Sequence, residues 1–187
     1  LVGSEMCIRD RTRAEGNNVY VINPDAGVGQ DVNTPAQTVT RRAHNDFESI
    51  AVMDLSESYA SNAVRAQRGI KLTDDRKSLV VRDEILLKDT SELYWFMHLY
   101  STIDVKIDGN TAILSENGVE MKFEFLSSQP LTLELMEATE LPSSPARDSR
   151  EYANDAYRKL ALHGDGLTGE LNITVKMTPN IPGVPFS

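Results

Sequence analysis

Histidine is the side chain best suited to acid–base and metal chemistry near neutral pH. This chain has three: His44, His98 and His163. No His-x-His or His-Glu-x-x-His spacing occurs, so a self-contained metal site is not predicted. His98 lies in an apolar stretch and is predicted to be a sheet-face histidine with satisfied ring nitrogens, with a cleft-facing base as the alternative. His44 is predicted at a solvated strand end, and His163, before Gly164-Asp165-Gly166, in a turn.

Four arginines are the next candidates, because a guanidinium grips a carboxylate or sulfate through two parallel hydrogen bonds. They are Arg41, Arg42, Arg65 and Arg68. Together they could face an acidic polysaccharide, but ordinary surface and cross-strand ion pairing is the favoured interpretation. Gly27-Val28-Gly29 is not a nucleotide-binding loop, since no helix is predicted after it to bind phosphates.

Aromatic residues in one stretch could stack on sugar rings. They are Tyr94, Trp95, Phe96 and Tyr100. On a strand, successive side chains point to opposite faces. The four are therefore divided between two faces, and core packing is predicted for most of them.

Composition excludes several classes of protein. The chain has 187 residues, enough for one domain or two small ones, and is 40% hydrophobic and 25% charged. The net charge is -9 with no basic segment, so nucleic-acid binding is not expected. No apolar stretch approaches the ~20 residues needed to span a bilayer. The single cysteine, Cys7, excludes an internal disulfide framework.

The elements that position these side chains are predicted to be strands, because apolar residues recur with period two. The pattern is clear in residues 103–107, 119–125 and 171–177, and looser in residues 64–72, where Gly69 suggests a bulge. Nearly continuous apolar runs predict more deeply buried strands. These runs are Val19–Ile22, Ile50–Leu55, Leu79–Leu87 and Leu93–Leu99.

Turn signals join three of these strands into a meander over residues 103–126. Asp108-Gly109 and Asn117-Gly118 favour type I′ turns, which need positive φ. About nine or ten strands are expected in all, so the predicted fold class is all-β, an antiparallel two-sheet β-sandwich. Helix is limited to possible short turns within Ser56–Gln67 and Ser149–Tyr157. Irregular structure is predicted for Pro24–Pro35 and Leu141–Arg150.

The first eleven residues, LVGSEMCIRDR, resemble the translation of a transposase sequencing adapter. Ten complete codons of the adapter give Leu1–Asp10, and its incomplete eleventh codon permits Arg11. A signal-peptide remnant is the alternative, but the stretch lacks a basic start, an apolar region and a small-residue cleavage site. Without the adapter the chain has no cysteine and is expected to begin within a longer protein.

An ordered series of segments resembles the C-terminal β-sandwich of the heparinase II/III-like polysaccharide lyases. The first is residues 13–24 (RAEGNNVYVINP). Others follow in the family's order: 51–55 (AVMDL), 79–84 (LVVRDE), 95–98 (WFMH), 142–145 (PSSP) and 158–161 (RKLA). The resemblance covers residues 12–178, which we expect to be this domain, and residues 179–187 are expected to be a frayed tail.

The resemblance implies a parent enzyme in which an N-terminal α/α toroid carries most of the cleft and the sandwich closes one side. Such enzymes cleave uronate-containing polysaccharides, heparin-like or alginate-like, by β-elimination. A base removes the C5 proton, a second group neutralises the carboxylate, and an acid protonates the leaving oxygen. The family's catalytic groups would lie upstream of residue 12. No catalytic, cofactor-binding or metal residue is therefore assigned, and the fragment alone is expected to be inactive.

Zinc is the one cofactor that the resemblance brings into question. In relatives, a histidine of the Glu-Gly-His-Asn segment can ligate zinc, and the corresponding residue here is Asn17. An amide oxygen is a poor zinc ligand compared with imidazole. No cofactor is therefore predicted, and the alternative is that another group replaces the missing ligand.

Partners and location follow only from the resemblance. The expected partners are the missing toroid and an acidic polysaccharide bound by the parent enzyme, with no nucleic acid and no membrane. The expected location is the periplasm or the cell exterior of a bacterium. The alternative from another functional class is a non-catalytic carbohydrate-binding or structural sandwich, which the absence of a toroid-encoding region upstream would favour.

Overall fold

Antiparallel strands form nearly all of the regular structure. A computed structural model describes residues 16–26, 34, 38–45, 49–144 and 154–180. The described residues contain twelve strands and one 3₁₀ turn, Pro24–Ala26. The strands are β1 Tyr20–Ile22, β2 Thr38–His44, β3 Ser49–Asp54, β4 Ala63–Leu72, β5 Leu79–Leu87, β6 Ser91–Tyr100, β7 Asp104–Asp108, β8 Thr111–Glu116, β9 Val119–Ser127, β10 Thr132–Glu137, β11 Tyr157–Leu167 and β12 Glu170–Asn180.

The strands make two sheets of unequal size. The small sheet has the order β1-β6-β11-β10, and the large sheet has the order β2-β3-β4-β5-β12-β9-β8-β7. All the described pairs are antiparallel. The predicted all-β sandwich is therefore confirmed. No helix in the described part of the chain is long and apolar enough to cross a membrane.

The main core lies between the sheets, because alternate residues of each strand point inward. Residues from both sheets contribute to it, with aromatic and branched side chains that fit a pleated surface. The small sheet supplies Tyr20, Ile22, Leu93, Trp95, Leu160 and Leu162, and the large sheet supplies Ala66, Ile85, Phe123, Phe125, Leu171, Ile173 and Val175.

A second apolar cluster covers the opposite face of the small sheet, called here the outer face. It contains Val21, Tyr94, Phe96, Leu141 and Ala161. Tyr94 and Phe96 alternate with core residues on β6, which is the predicted division of aromatics between two faces. Leu141 comes from the segment after β10 and is only 1% exposed, so the start of the predicted irregular segment packs on the sheet, whereas residues 145–150 lie outside the described residues.

The predicted meander over residues 103–126 is present as β7, β8 and β9. Asn117 and Gly118 both have positive φ, as a type I′ turn requires. The first hairpin differs, because Asp108 pairs with Thr111 and the turn is centred on Gly109-Asn110. Only Gly109 has positive φ there, the pattern of a type II′ turn.

Two local predictions need correction. Gly69 is not a bulge: it pairs regularly with Val52 and Arg82, and the irregularity in β4 falls between Ala63 and Arg65. The Ser56–Gln67 segment starts with hydrogen-bonded turns, including Ala63 N–H to Tyr59 O at 2.8 Å, but no helix forms before β4 begins. The other predicted helical turn falls mostly outside the described residues, and its last residue, Tyr157, begins β11.

These turns between β3 and β4 cover the free edge of β1. The Tyr59 hydroxyl donates to the Tyr20 carbonyl at 2.8 Å, and Asn62 Nδ2 donates to the Ile22 carbonyl at 3.3 Å. The two tyrosine rings also stack with centroids 4.3 Å apart. Side chains of the β3–β4 turns thus satisfy backbone acceptors at an edge that would otherwise be open to pairing.

Candidate functional site

The outer face of the small sheet holds a compact group of titratable side chains. Glu92 and Tyr94 come from β6, Glu134 from β10 and His163 from β11. Tyr94 is directly opposite His163 in the β6–β11 register. Because alternate residues share a face, the four side chains all point away from the main core.

His163 is the centre of this group. Its Nε2 lies 3.0 Å from Glu92 Oε1, and its Nδ1 lies 3.7 Å from Glu134 Oε1. Its ring stacks on Tyr94 with centroids 4.1 Å apart and planes 5° apart. Ser143, in the segment after β10, donates from Oγ to Glu92 Oε2 at 3.1 Å. The prediction that His163 occupies a turn is wrong, because it lies inside β11.

The group has an acidic character. Burial raises the pKa of Tyr94 well above its ordinary value. The negative charge of Glu92 and the hydrogen bond between Glu92 and Tyr94 raise it further, and the charges of Glu134 and Asp165 add to the effect. The same carboxylates would repel the carboxylate or sulfate of an acidic sugar. The group instead has a structural role. Through Glu92 it holds Ser143, in the segment after β10, against β6 and β11.

Burial raises the pKa of Tyr94, as it does for Tyr20 and Tyr59. Because the pKa is raised only in the folded state, the unfolded chain loses these protons first, from about pH 10. The contribution to the free energy of unfolding is therefore fully present below about pH 10 and is lost as the pH rises above it. We expect Tyr94→Phe to make the alkaline loss shallower by up to about 1.4 kcal/mol per pH unit. Urea unfolding from about pH 9 to about pH 11 measures it, and an unchanged slope would contradict the assignment.

His98 also lies on the outer face but apart from His163. It is opposite Lys159 in the register, four residues along β6 from Tyr94. Its backbone N–H donates to Asn18 Oδ1 at 2.7 Å, and its Nδ1 lies 3.0 Å from the same oxygen. The predicted sheet-face histidine is thus found, with Nδ1 satisfied by an amide oxygen.

His44 is remote from both, at the end of edge strand β2. It is exposed, and its Nδ1 lies 2.9 Å from Ser49 Oγ. The three histidines therefore do not form one site. In the described part of the chain, no three His, Cys, Asp or Glu side chains are placed to hold a metal ion.

The four arginines do not form a common anion site either. Arg41 and Arg42 are exposed on β2, and Arg65 forms an exposed ion pair with Glu170 at 3.6 Å. Arg68 instead points into the core. The favoured interpretation, ion pairing within the protein, is seen for Arg65 and Arg68.

Arg68 belongs to a buried polar cluster between the sheets. Its Nε and Nη2 donate to Asp83 Oδ1 and Oδ2 at 2.7 and 2.9 Å, and Trp95 Nε1 donates to Asp83 Oδ2 at 2.9 Å. Arg68 Nη1 donates to the Asn18 carbonyl at 2.8 Å. Burial disfavours the guanidinium charge, but Asp83 outweighs it, so the pKa of Arg68 lies above its ordinary value. This cluster joins the sheets and is not open to a ligand.

Asn17 is exposed, just before β1. The expectation of no secure cofactor stays a prediction.

Comparison with known proteins gives structural matches only. No family model matches the sequence, and no curated protein matches it. A heparinase III structure superposes on 96% of this chain with a TM-score of 0.67 and 12% identity. Heparan sulfate lyase HepC from Pedobacter heparinus superposes on 99% with a TM-score of 0.69 and 14% identity. The fold is shared.

The match covers only part of each lyase. This chain spans 26% of the heparinase III chain and 28% of the HepC chain, about a quarter of each. At these identities the similarity extends to the fold of that quarter. The activity, substrate and partners of the whole lyases are not transferred by it.

Proposed function

We propose that this chain is the β-sandwich domain of a polysaccharide lyase that cleaves uronate-containing polysaccharides by β-elimination. The observation that carries the proposal is the superposition of 96–99% of the chain on about a quarter of two lyases of this type. The ordered sequence segments that resemble heparinase II/III-like lyases support it independently. The preferred substrates are heparin-like or alginate-like chains.

In this proposal the sandwich supports the active site rather than supplying it. The described histidines are separated on two sheets, and His163 is enclosed by carboxylates that would repel a uronate. An upstream α/α toroid would supply the base, the neutralising group and the acid. The sandwich would form one wall of the cleft, and Asp83, which accepts hydrogen bonds from Arg68 and from Trp95, would link its two sheets.

A non-catalytic sandwich is the competing proposal, and Asn17 is the residue that favours it. Where related sequences have a zinc-ligating histidine, this chain has an exposed amide. Loss of that ligand is compatible with a domain that has lost the family's metal and its chemistry.

Reading the genomic DNA upstream of the Arg13 codon separates these proposals. The lyase proposal expects several hundred codons of helical repeats, a His-x-His-x-Asp-like strand near the junction, and an export signal at the start. That signal would also support a periplasmic or secreted protein. A start codon a few dozen residues upstream, with no toroid, would refute the lyase proposal.

Activity assays test where the chemistry is carried. We expect the purified 187-residue chain to release no unsaturated uronate from heparan sulfate or alginate, and the complete parent protein to release it. The absorbance of the unsaturated product measures both. Activity in the short chain would show that the catalytic set is not upstream. Inactivity of the complete parent on every uronate polysaccharide tested would favour the non-catalytic alternative.

A further inference from the structure

Two tyrosines lie on the outer face at the end of β6 and β11 that is farthest from His163. Tyr100 is the last residue of β6, and Tyr157, its register partner, is the first residue of β11. Their rings stack with centroids 5.1 Å apart and planes 28° apart. Tyr100 is 58% exposed, whereas Tyr94 and Trp95 are buried. The half-buried Tyr157 thus backs a Tyr100 ring that is open to solvent.

Polar groups border this pair on the same face. His98 precedes Tyr100 by two residues, about 7 Å along the strand, a separation that one sugar unit bridges. Because Asn18 Oδ1 accepts from the backbone N–H of His98, the amide NH₂ of Asn18 is turned away from that strand. Asn18 is exposed. Its NH₂ is therefore a donor at this edge of β6, two residues along the strand from Tyr100.

The pair also lies far from the carboxylates around His163. Tyr100 is six residues from Tyr94 along β6, and Tyr157 is six residues from His163 along β11, a separation of about 20 Å in each strand. Arg158 points to the other face of the sheet, where one of its terminal nitrogens donates to the Ile103 carbonyl. Because charge repulsion is screened over about 10 Å in salt, an anion is better tolerated at this end of the outer face than beside Glu92.

We propose that the Tyr100–Tyr157 pair, with Asn18 beside it, binds a sugar unit of a uronate-containing polysaccharide. The C–H face of the sugar would stack on the exposed ring of Tyr100, and the Asn18 amide would donate to a hydroxyl or carboxylate. The identity of the sugar rests on the proposed lyase function, whereas the platform rests on this geometry.

Affinity electrophoresis of the 187-residue chain in gels containing heparan sulfate, alginate or neutral dextran tests the proposal. We expect retardation by at least one uronate polymer and none by dextran. Tyr100→Ala should weaken that binding roughly five- to tenfold, while Tyr100→Phe, which keeps the ring, should bind nearly as wild type. Leu126→Ala is the matched control, because Leu126 is 72% exposed on the large sheet. Thermal unfolding checks that each variant is folded.

The other outcomes are equally decisive. Absence of retardation in the wild-type chain, or equal binding by Tyr100→Ala, overturns the platform. Equal retardation by dextran overturns the uronate assignment, and a change of oligomeric state in Tyr100→Ala would make the pair a contact between copies of the chain. The parent enzyme separates this test from the proposed function. If it cleaves a uronate polymer with a KM unaffected by Tyr100→Ala, the lyase proposal stands and the platform fails.

Discussion

Replacing Asp83 with asparagine is expected to lower the free energy of unfolding by about 3–5 kcal/mol. Asp83 is fully buried and accepts two hydrogen bonds from Arg68 and one from Trp95. Asparagine has nearly the same shape but no charge. The Arg68 guanidinium would then remain in the core without its counter-charge, and a buried charge without a partner is strongly destabilising.

Urea unfolding of the 187-residue chain measures this effect, with Arg82→Gln as the control. The Arg82–Glu84 pair has a similar separation, 2.9 Å, but is exposed, so its loss should cost under about 1 kcal/mol. The double variant Arg68→Met with Asp83→Leu should be more stable than either single change, because it removes both charges. An Asp83→Asn protein within about 1 kcal/mol of wild type would mean that the buried charge pair does not stabilise the core.

The positions of Asp83 and Arg68 within their strands predict that this pair is buried. Asp83 occupies the same alternate register of β5 as the buried Val81 and Ile85, and Arg68 occupies that of Ala66 on β4. Charged residues in the inward register of two adjacent strands indicate a buried ion pair. The cross-strand ion pairing favoured for Arg68 is present, and the inward register of Arg68 in β4 is the feature that predicts its burial.

The strands best predicted were those with a clear pattern and a turn at each end. The predicted Leu79–Leu87 strand is β5 with the same bounds, and the 103–126 meander is present. Apolar patterning does not predict strands β2, β10 and β11. In β11 both faces are covered, so Leu160, Ala161 and Leu162 are all buried and the alternation disappears. Period two identifies only strands with one solvated face.

His163 was misplaced for a related reason. Gly164-Asp165-Gly166 has the composition of a turn, but β11 continues through it. The pairing with β6 only shifts its register between Gly164 and Leu167. Its partners Glu92 and Glu134 lie 71 and 29 positions away in the chain, and only the β6–β11–β10 order brings the three together. A group assembled over such sequence distances has no local sequence signal.

Gly164 itself gives the second large expected effect. A Cβ atom at this position would lie 2.5 Å from Leu131 Cδ2 and 3.0 Å from the Pro130 carbonyl oxygen. Leu131 can move, but the Pro130 oxygen belongs to the backbone leading into β10. Gly164→Ala is therefore expected to lower the free energy of unfolding by about 1–3 kcal/mol, the usual cost of overpacking.

Gly69→Ala is the matched control, since Gly69 also lies within a strand. A Cβ there would be 3.7 Å from Val52 Cγ2 and 3.8 Å from the Arg82 carbonyl oxygen, which are ordinary contacts. Alanine also restricts the unfolded chain, so this variant should be unchanged or more stable by about 0.4–1 kcal/mol. Urea midpoints of the two variants provide the comparison. Equal tolerance of both would mean that the segment before β10 does not approach β11 closely, and the position of Glu134 beside His163 would then lose its support.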